Sequence, residues 1–274
     1  MTDHYAVIGN PIAQSKSPEI HAAFAKATHQ DLDYIAILGP VGGFAKRVDQ
    51  FAREGGRGLN VTVPFKLDAF AYATDCSQRA RAAGAVNALK FERGRVFAEN
   101  FDGVGLLRDI CQNLGFPLAA KRILLLGAGG AARGVILPLL QEKPAALVVA
   151  NRTPENGAAL AREYSQFGSV ESRQYNELPR ARAFDLILNA TSASLRNEAP
   201  PVPGQCFARG ALAYDLVYGK GLTPFLRAAR SAGAARIADG LGMLVEQAAE
   251  AFAWWRGVRP ETAPVIEALT VPLS

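Results

Sequence analysis

Residues Lys121 to Thr153 constrain the fold more than any other stretch. They read KRILLLGAGGAARG, then a helical run, then LVVANRT. The mostly apolar run Arg122 to Gly127 predicts a short strand, and the glycine-rich turn behind it opens a helix. Strand, glycine turn and helix in that order form a dinucleotide-binding unit. Gly127 permits the tight turn, Gly129 lets backbone amides approach a pyrophosphate, and Ala132 takes the small third position where helix meets strand. Unpaired N–H groups and the helix dipole there favour phosphate charge. The second strand ends in Asn151-Arg152-Thr153, where an NAD site carries Asp or Glu for the ribose 2′-OH. A carboxylate repels a 2′-phosphate, whereas Arg152 can pair with one. NADP is therefore expected, and a redox reaction is the first hypothesis. The alternative is an ordinary βαβ turn followed by an exposed arginine, which leaves the two turn glycines without a special purpose.

With 274 residues the chain has room for two domains. Its 49% hydrophobic and 20% charged residues have a globular balance. The net charge of +5 comes from scattered basic residues, so no nucleic-acid partner is expected. Cys76, Cys111 and Cys206 are far apart and form no CxxC pair, so reduced thiols and a cytoplasmic location are expected. His4, His21 and His29 make no ligand cluster, and no metal is expected. The polar start MTDH argues against a signal peptide, and no apolar run is long enough to predict a membrane span.

Strands alternate with helices along the whole chain, which predicts an α/β protein. In the first part, strands are expected over Tyr5–Ile8, Leu32–Leu38 and Gly58–Val63. Helices are expected from Ser17, with Ser17 as N-cap, over about Gly43–Glu54, and as short pieces near 66–72 and 76–82. Val86–Glu92 and Arg95–Asn100 flank Arg93-Gly94 as a hairpin, so the first sheet should be mainly parallel with a local antiparallel pair. An amphipathic helix over Asp102–Leu114 leads into the second domain. Strands near 122–126, 146–150, 184–188 and 212–216 continue it, and Pro138 should bend its first helix. The helix Met243–Trp255 is apolar on several faces and is expected to return to the first domain. The domains are read as 1–102 plus 241–274 for substrate, and 103–240 for a Rossmann-like NADP-binding domain.

Reduction of a carbonyl by hydride needs a proton donor and a substrate held still. Four polar clusters at predicted strand ends of the first domain can supply these. In Ser15-Lys16-Ser17-Pro18 two hydroxyls can hold a hydroxyl or a carboxylate, although Ser17 alone also serves as a cap. In Asn60-Val-Thr-Val-Pro-Phe-Lys66, Thr62 and Lys66 lie just past a buried strand, and a partly desolvated lysine can shuttle a proton; a solvated lysine is the alternative. Asn87 ends the small-residue turn Gly84-Ala-Val-Asn87, as ligand or as turn residue. Asp102, in Glu99-Asn100-Phe101-Asp102-Gly103, can pair with Lys66 or cap the following helix.

The motifs SKSPxxH, NVTVPFK, GAVN, N-x-D-G, GAGGAARG, NRT, NATS, DLVY, KGLTPFL and DGLGMLVEQAAEAF, in that order from about Ala6 to Trp255, resemble shikimate dehydrogenase. The resemblance implies NADPH-dependent, reversible reduction of 3-dehydroshikimate to shikimate in aromatic amino-acid biosynthesis. Ser15 and Ser17 then match the pair holding the substrate carboxylate, Lys66 the catalytic lysine and Asp102 its acidic partner. Thr62, Asn87, Tyr218 and Gln247 match substrate contacts. Gly127, Ala128, Gly129, Gly130 and Ala131 match the phosphate turn, and Asn151-Arg152-Thr153 the NADP-selecting segment. Thr191, within Asn189-Ala190-Thr191-Ser192, matches the cofactor-side loop, and Leu216 and Gly240 line the nicotinamide side. The partner implied is a small molecule, with no membrane, and the chain a monomer or homodimer.

Three positions depart from the family pattern. Phe101 stands where a Thr is common, Asn156 where a second basic residue is common, and Ala88 where a Thr often follows the asparagine. The second departure places more of the 2′-phosphate selectivity on Arg152. A quinate/shikimate dehydrogenase with relaxed cofactor use, a non-catalytic NADP-binding sensor and a ligand-free scaffold are the rival readings. Lys66 and Asp102 argue against the sensor, and the turn glycines against the scaffold.

Overall fold

Two six-stranded sheets, each in its own unit, organise the computed structural model, which describes residues 2–219 and 221–273. The first unit is Met1–Leu106 with Leu244–Glu267, and the second is Leu107–Met243 with Ala268–Ser274. Lys220, the first residue of KGLTPFL, lies outside the described residues.

The first unit runs β1 (Asp3–Gly9), α1 (Ser17–Ala27), β2 (Leu32–Leu38), α2 (Phe44–Arg53), β3 (Gly56–Val61), α3 (Lys66–Tyr72), β4 (Asp75–Cys76), α4 (Gln78–Ala83), β5 (Ala88–Glu92), β6 (Arg95–Glu99) and α5 (Asp102–Leu107). Strand order is β2-β1-β3-β5-β6-β4. β1 pairs in parallel with β2 and β3, whereas β5 is antiparallel to both β3 and β6. Tyr5 to Gly9 of β1 are all buried, which is why that strand is a continuous apolar run rather than an alternating one. The register sets Ile8 beside Val61, Asn60 beside Ala88, and Ala88 beside Glu99. One edge of the sheet therefore collects the carboxyl ends of β1, β3 and β6 and the start of β5.

The second unit contains β7 (Arg122–Leu126), α6 (Gly130–Gln141), β8 (Ala146–Ala150), α7 (Pro154–Tyr164), β9 (Val170–Arg173), β10 (Phe184–Asn189), β11 (Phe207–Asp215), α8 (Pro224–Ser231) and β12 (Arg236–Asp239). All pairs are parallel in the order β12-β11-β10-β7-β8-β9. This is the doubly wound dinucleotide-binding order, and its direction reverses between β7 and β10, where such sheets bind ligands.

Helix α9 (Leu241–Arg256) carries the chain back to the first unit, as expected, and α10 (Ala263–Leu269) follows. Trp255 stacks on Tyr5 with centroids 4.7 Å apart and donates from Nε1 to the Leu89 carbonyl at 3.1 Å. Gly58 makes room for it, since a Cβ there would lie 2.7 Å from Trp255 Nε1. Phe252 and Trp255 also surround His21 of α1, whose ring lies 4.1 Å from that of Tyr34 and parallel to it.

The structure corrects several sequence expectations. Helix α1 begins at Ser17 itself and Lys16 is its N-cap, so Ser17 is not the cap. The Ser15 hydroxyl instead accepts the Ser17 N–H at 3.3 Å. β3 ends at Val61, before a turn closed by a cis peptide at Pro64. The helix expected over Asp102–Leu114 is α-helical only to Leu107 and widens to a π-helix over Arg108–Asn113. The short strands β4, β9 and β12 and the helix α10 were not anticipated. The chain from Ala268 onward groups with the second unit, not the first, because Leu273 packs on that unit's core.

Candidate functional site

In the first unit, the polar clusters converge on one edge of the sheet. Phe65, 1% exposed, anchors the turn after β3 and starts α3 at Lys66. The backbone of Lys66 is held in turn, since its carbonyl accepts the Val86 N–H at 2.9 Å. Its Nζ donates to Asp102 Oδ2 at 2.5 Å, and the side chains are only 14% and 6% exposed. Lys66 is therefore not a solvated lysine. Asp102 is not an N-cap either, because it is the first residue of α5 and its carboxylate faces side chains. Asn87 Nδ2 donates to Asp102 Oδ1 at 2.8 Å and to Gln247 Oε1 at 3.2 Å. Gln247 comes from α9 and donates its own amide to the Leu244 carbonyl at 2.9 Å.

Two asparagines set this geometry. Asn87 Oδ1 accepts the Phe101 N–H at 2.8 Å, and Asn100 Oδ1 accepts the Asp102 N–H at 3.1 Å. Asn100 Nδ2 reaches back to the Ala85 carbonyl at 2.9 Å. The turns before β5 and after β6 are thus stapled together, with Asp102 at the junction. Asn100 was not singled out from the sequence. Its signal is a short amide two residues before a residue that starts a helix.

Ser15, half-buried, and Ser17, buried, follow β1 on the same sheet edge, and Thr62 follows β3. They stand outside the hydrogen-bonded set of Lys66, Asp102, Asn87 and Gln247. Phe101 does not share the polar surface of its neighbours. It packs with Ala88 and Ala251 and meets Trp254 edge-on at 5.9 Å. Two departures from the family pattern, Phe101 and Ala88, therefore touch the same small apolar cluster, one larger and one smaller than threonine.

In the second unit, the glycine turn after β7 has the geometry a pyrophosphate needs. Gly127 has φ of +108°, and a Cβ there would lie 3.1 Å from the Ala190 carbonyl. Open space surrounds the missing Cβ of Gly129, which caps α6 with no side chain on the helix N–H groups. Ala128, Gly130 and Ala131 complete the turn, and buried Ala132 packs the helix on the sheet. Asn151, Arg152 and Thr153 follow β8, with the last two exposed. Asn151 Nδ2 donates to the Thr153 carbonyl at 2.9 Å and so shapes that loop. Arg152 is close enough to Tyr175 to lower the phenol's pKa, against the larger raising effect of burial. Asn156 is exposed in the first turn of α7. The residues present fit a 2′-phosphorylated dinucleotide: a side-chain-free cradle at the helix start and a cation, without a carboxylate, after β8.

Thr191 stands in the loop after β10, and Leu216 and Tyr218 in the loop after β11. The Leu216 N–H donates to the Asn189 carbonyl at 3.0 Å, and a Cβ at Gly240 would collide with the Leu216 carbonyl. Among the described residues, no group of three His, Cys, Asp or Glu side chains is placed to hold a metal ion, and no helix is long and apolar enough to cross a membrane.

Family models cover most of the chain. A shikimate dehydrogenase substrate binding domain matches residues 7–89, a shikimate/quinate 5-dehydrogenase domain residues 109–197, and a shikimate 5'-dehydrogenase C-terminal domain residues 240–270. A protein of Nitrosospira multiformis named shikimate dehydrogenase (NADP(+)) is 57% identical over 274 residues, covering 100% of this chain and 99% of its own. An Ael1 enzyme from Pseudomonas putida has a crystal structure that superposes with a TM-score of 0.92 at 57% identity, covering 100% of both chains. Shikimate 5-dehydrogenase from Thermus thermophilus, solved with NADP(H) and shikimate, superposes with a TM-score of 0.86 at 34% identity, covering 98% of both chains.

Proposed function

The chain belongs to the shikimate dehydrogenase family, and we propose that it reduces 3-dehydroshikimate reversibly to shikimate with NADPH, a step of aromatic amino-acid biosynthesis. The observation that carries the chemistry is the Lys66–Asp102 pair at 2.5 Å, braced by Asn87 and Gln247. NADPH, when bound, supplies the hydride that the ketone carbon accepts.

The residues of the first unit hold the ring and handle the proton. Ser15 and Ser17 take the substrate carboxylate, and Tyr218 keeps the substrate contact that its motif implies. Thr62, Asn87, Asp102 and Gln247 take hydroxyls. Lys66 gives one ammonium proton to the ketone oxygen as the carbon is reduced, and solvent reprotonates it. Asp102 accepts a hydrogen bond from the ammonium and so fixes its direction. In the reverse direction the neutral amine takes the hydroxyl proton. Gly127, Ala128, Gly129, Gly130 and Ala131 hold the pyrophosphate, and Asn151, Arg152 and Thr153 hold the 2′-phosphate. Thr191, Leu216 and Gly240 line the nicotinamide side. We place the protein in the cytoplasm, as a monomer or homodimer, with Cys76, Cys111 and Cys206 as free thiols.

The test follows the absorbance of reduced nicotinamide with purified protein, NADP and shikimate, and with quinate and NAD as comparisons. Turnover of shikimate with NADP well above the other pairs is expected. Cofactor binding without turnover defeats the enzyme reading, and equal turnover of quinate defeats the substrate assignment.

A further inference from the structure

The loops after β10 and β11 meet on a buried carboxylate that the proposed chemistry does not use. Asp215, the last residue of β11, is 0% exposed. Its Oδ2 accepts from Ser194 Oγ at 2.6 Å and from Thr223 Oγ1 at 2.7 Å. Its Oδ1 accepts from Asn189 Nδ2 at 3.0 Å and from the Val217 N–H at 3.2 Å. Each donor comes from a different segment. Asn189 ends β10, Ser194 lies in the loop after it, Val217 lies in the loop after β11, and Thr223 is the N-cap of α8. Desolvation pushes the carboxyl pKa up, and these four bonds oppose it. Burying a carboxylate is costly without such partners, and an apolar residue would end a strand more cheaply.

The residues tied down are those placed beside the nicotinamide. Asn189 Oδ1 accepts from the Thr191 N–H at 3.1 Å and its hydroxyl at 2.7 Å. The Leu216 N–H goes to the Asn189 carbonyl at 3.0 Å. Tyr218 sits between Val217, held by Asp215, and Gly219, whose N–H is held by Asp239 Oδ2 at 3.1 Å. None of these bonds reaches the Asn151–Thr153 loop, since β7 separates β10 from β8 in the sheet.

We propose that Asp215 is the positioning residue of the nicotinamide end of the site, cross-tying the loops after β10 and β11 so that Thr191, Leu216 and Tyr218 are held in place. This rests on the NADP assignment made above. Asp215→Ala removes both acceptor oxygens and so unties the loops, which Asp215→Asn would not, since an Asn keeps an oxygen for the two N–H donors and turns its amine toward two hydroxyls that can also accept. The experiment measures Kd of the full-length variant for NADPH and for adenosine 2′,5′-bisphosphate, which carries only the adenine half. The expected result is a roughly tenfold weaker NADPH Kd and a kcat lowered on the same order, because misplacement near the reacting atoms is costly. Binding of the bisphosphate should stay within about twofold of the parent, as the adenine end is untouched. Ser194→Ala removes a single donor and should shift NADPH binding in the same direction by a smaller factor. It decides the matter if the Asp215 variant does not fold. Unchanged NADPH binding and kcat, or equal weakening toward both ligands, overturns the proposal. A parent protein that binds neither ligand overturns the NADP assignment itself, and the two failures are thereby told apart.

Discussion

Lys66 and Asp102 stand 36 positions apart in the chain and meet at 2.5 Å. The pair is nearly buried, so the carboxylate directs the ammonium rather than merely screening it. Lys66→Ala should lower kcat by about 10²–10⁴-fold, the usual worth of a positioned acid, while moving the KM for shikimate far less. Steady-state kinetics decide this, and an unchanged kcat removes the proton-donor role. The role proposed for Arg152 is cofactor choice, and exposed Asn156 adds no charge to that loop. Arg152→Ala should raise the KM for NADPH much more than for NADH, because only the former carries the 2′-phosphate. Equal changes with both cofactors would contradict the pairing. At the same scale, Phe101 is a packing residue, in one apolar cluster with Ala88 and Ala251.

At the scale of elements, the first site depends on α9 lying against the first sheet, because Gln247 arrives on that helix. Trp255 secures the far end of the helix through Tyr5 and the Leu89 carbonyl, and Gly58 is the gap into which the indole fits. A methyl group at 58 would press on both the indole and the β5 backbone, two neighbours that cannot both withdraw. Gly58→Ala should cost about 1–3 kcal/mol of stability, the range for overpacking a tight interior. Urea unfolding measures it, and an unchanged midpoint would show that the helix does not need that gap. The short strands escaped the sequence reading for a related reason. VESR of β9 and RIAD of β12 have no clear apolar period, and they are strands because a neighbour in the sheet supplies their hydrogen bonds.

For the molecule as a whole, His21 is a group that couples stability to pH. Burial among Tyr34, Phe24, Phe252 and Trp255 drives its pKa down from 6.5 to about 3, partly offset by the nearby Asn60 amide. Its Nε2 has no hydrogen-bond partner. A lowered histidine pKa means that the unfolded chain takes up a proton which the folded one refuses. The stabilisation is therefore complete above pH 6.5 and is lost as pH falls toward 3. Between pH 7 and pH 5 this one group should account for about 2 kcal/mol of lost stability. His21→Phe keeps an aromatic ring in the stack and should lose correspondingly less over that interval. Urea titrations of both proteins at the two pH values measure the difference, and parallel losses would assign the acid sensitivity elsewhere.

Local chemistry was enough to determine the βαβ order, the glycine-rich turn after β7, the absence of a carboxylate after β8, and the short roster of polar residues at strand ends. Periodicity, turn glycines and charge are properties of a few neighbouring residues, so they survive in one dimension. Tertiary structure decided which of those residues meet. Asn87 reaches Gln247 across 160 positions, and Asp215 collects donors from four segments, because strand register sets those distances. Contacts of that kind depend on how sheets and helices stack, and no local pattern encodes them.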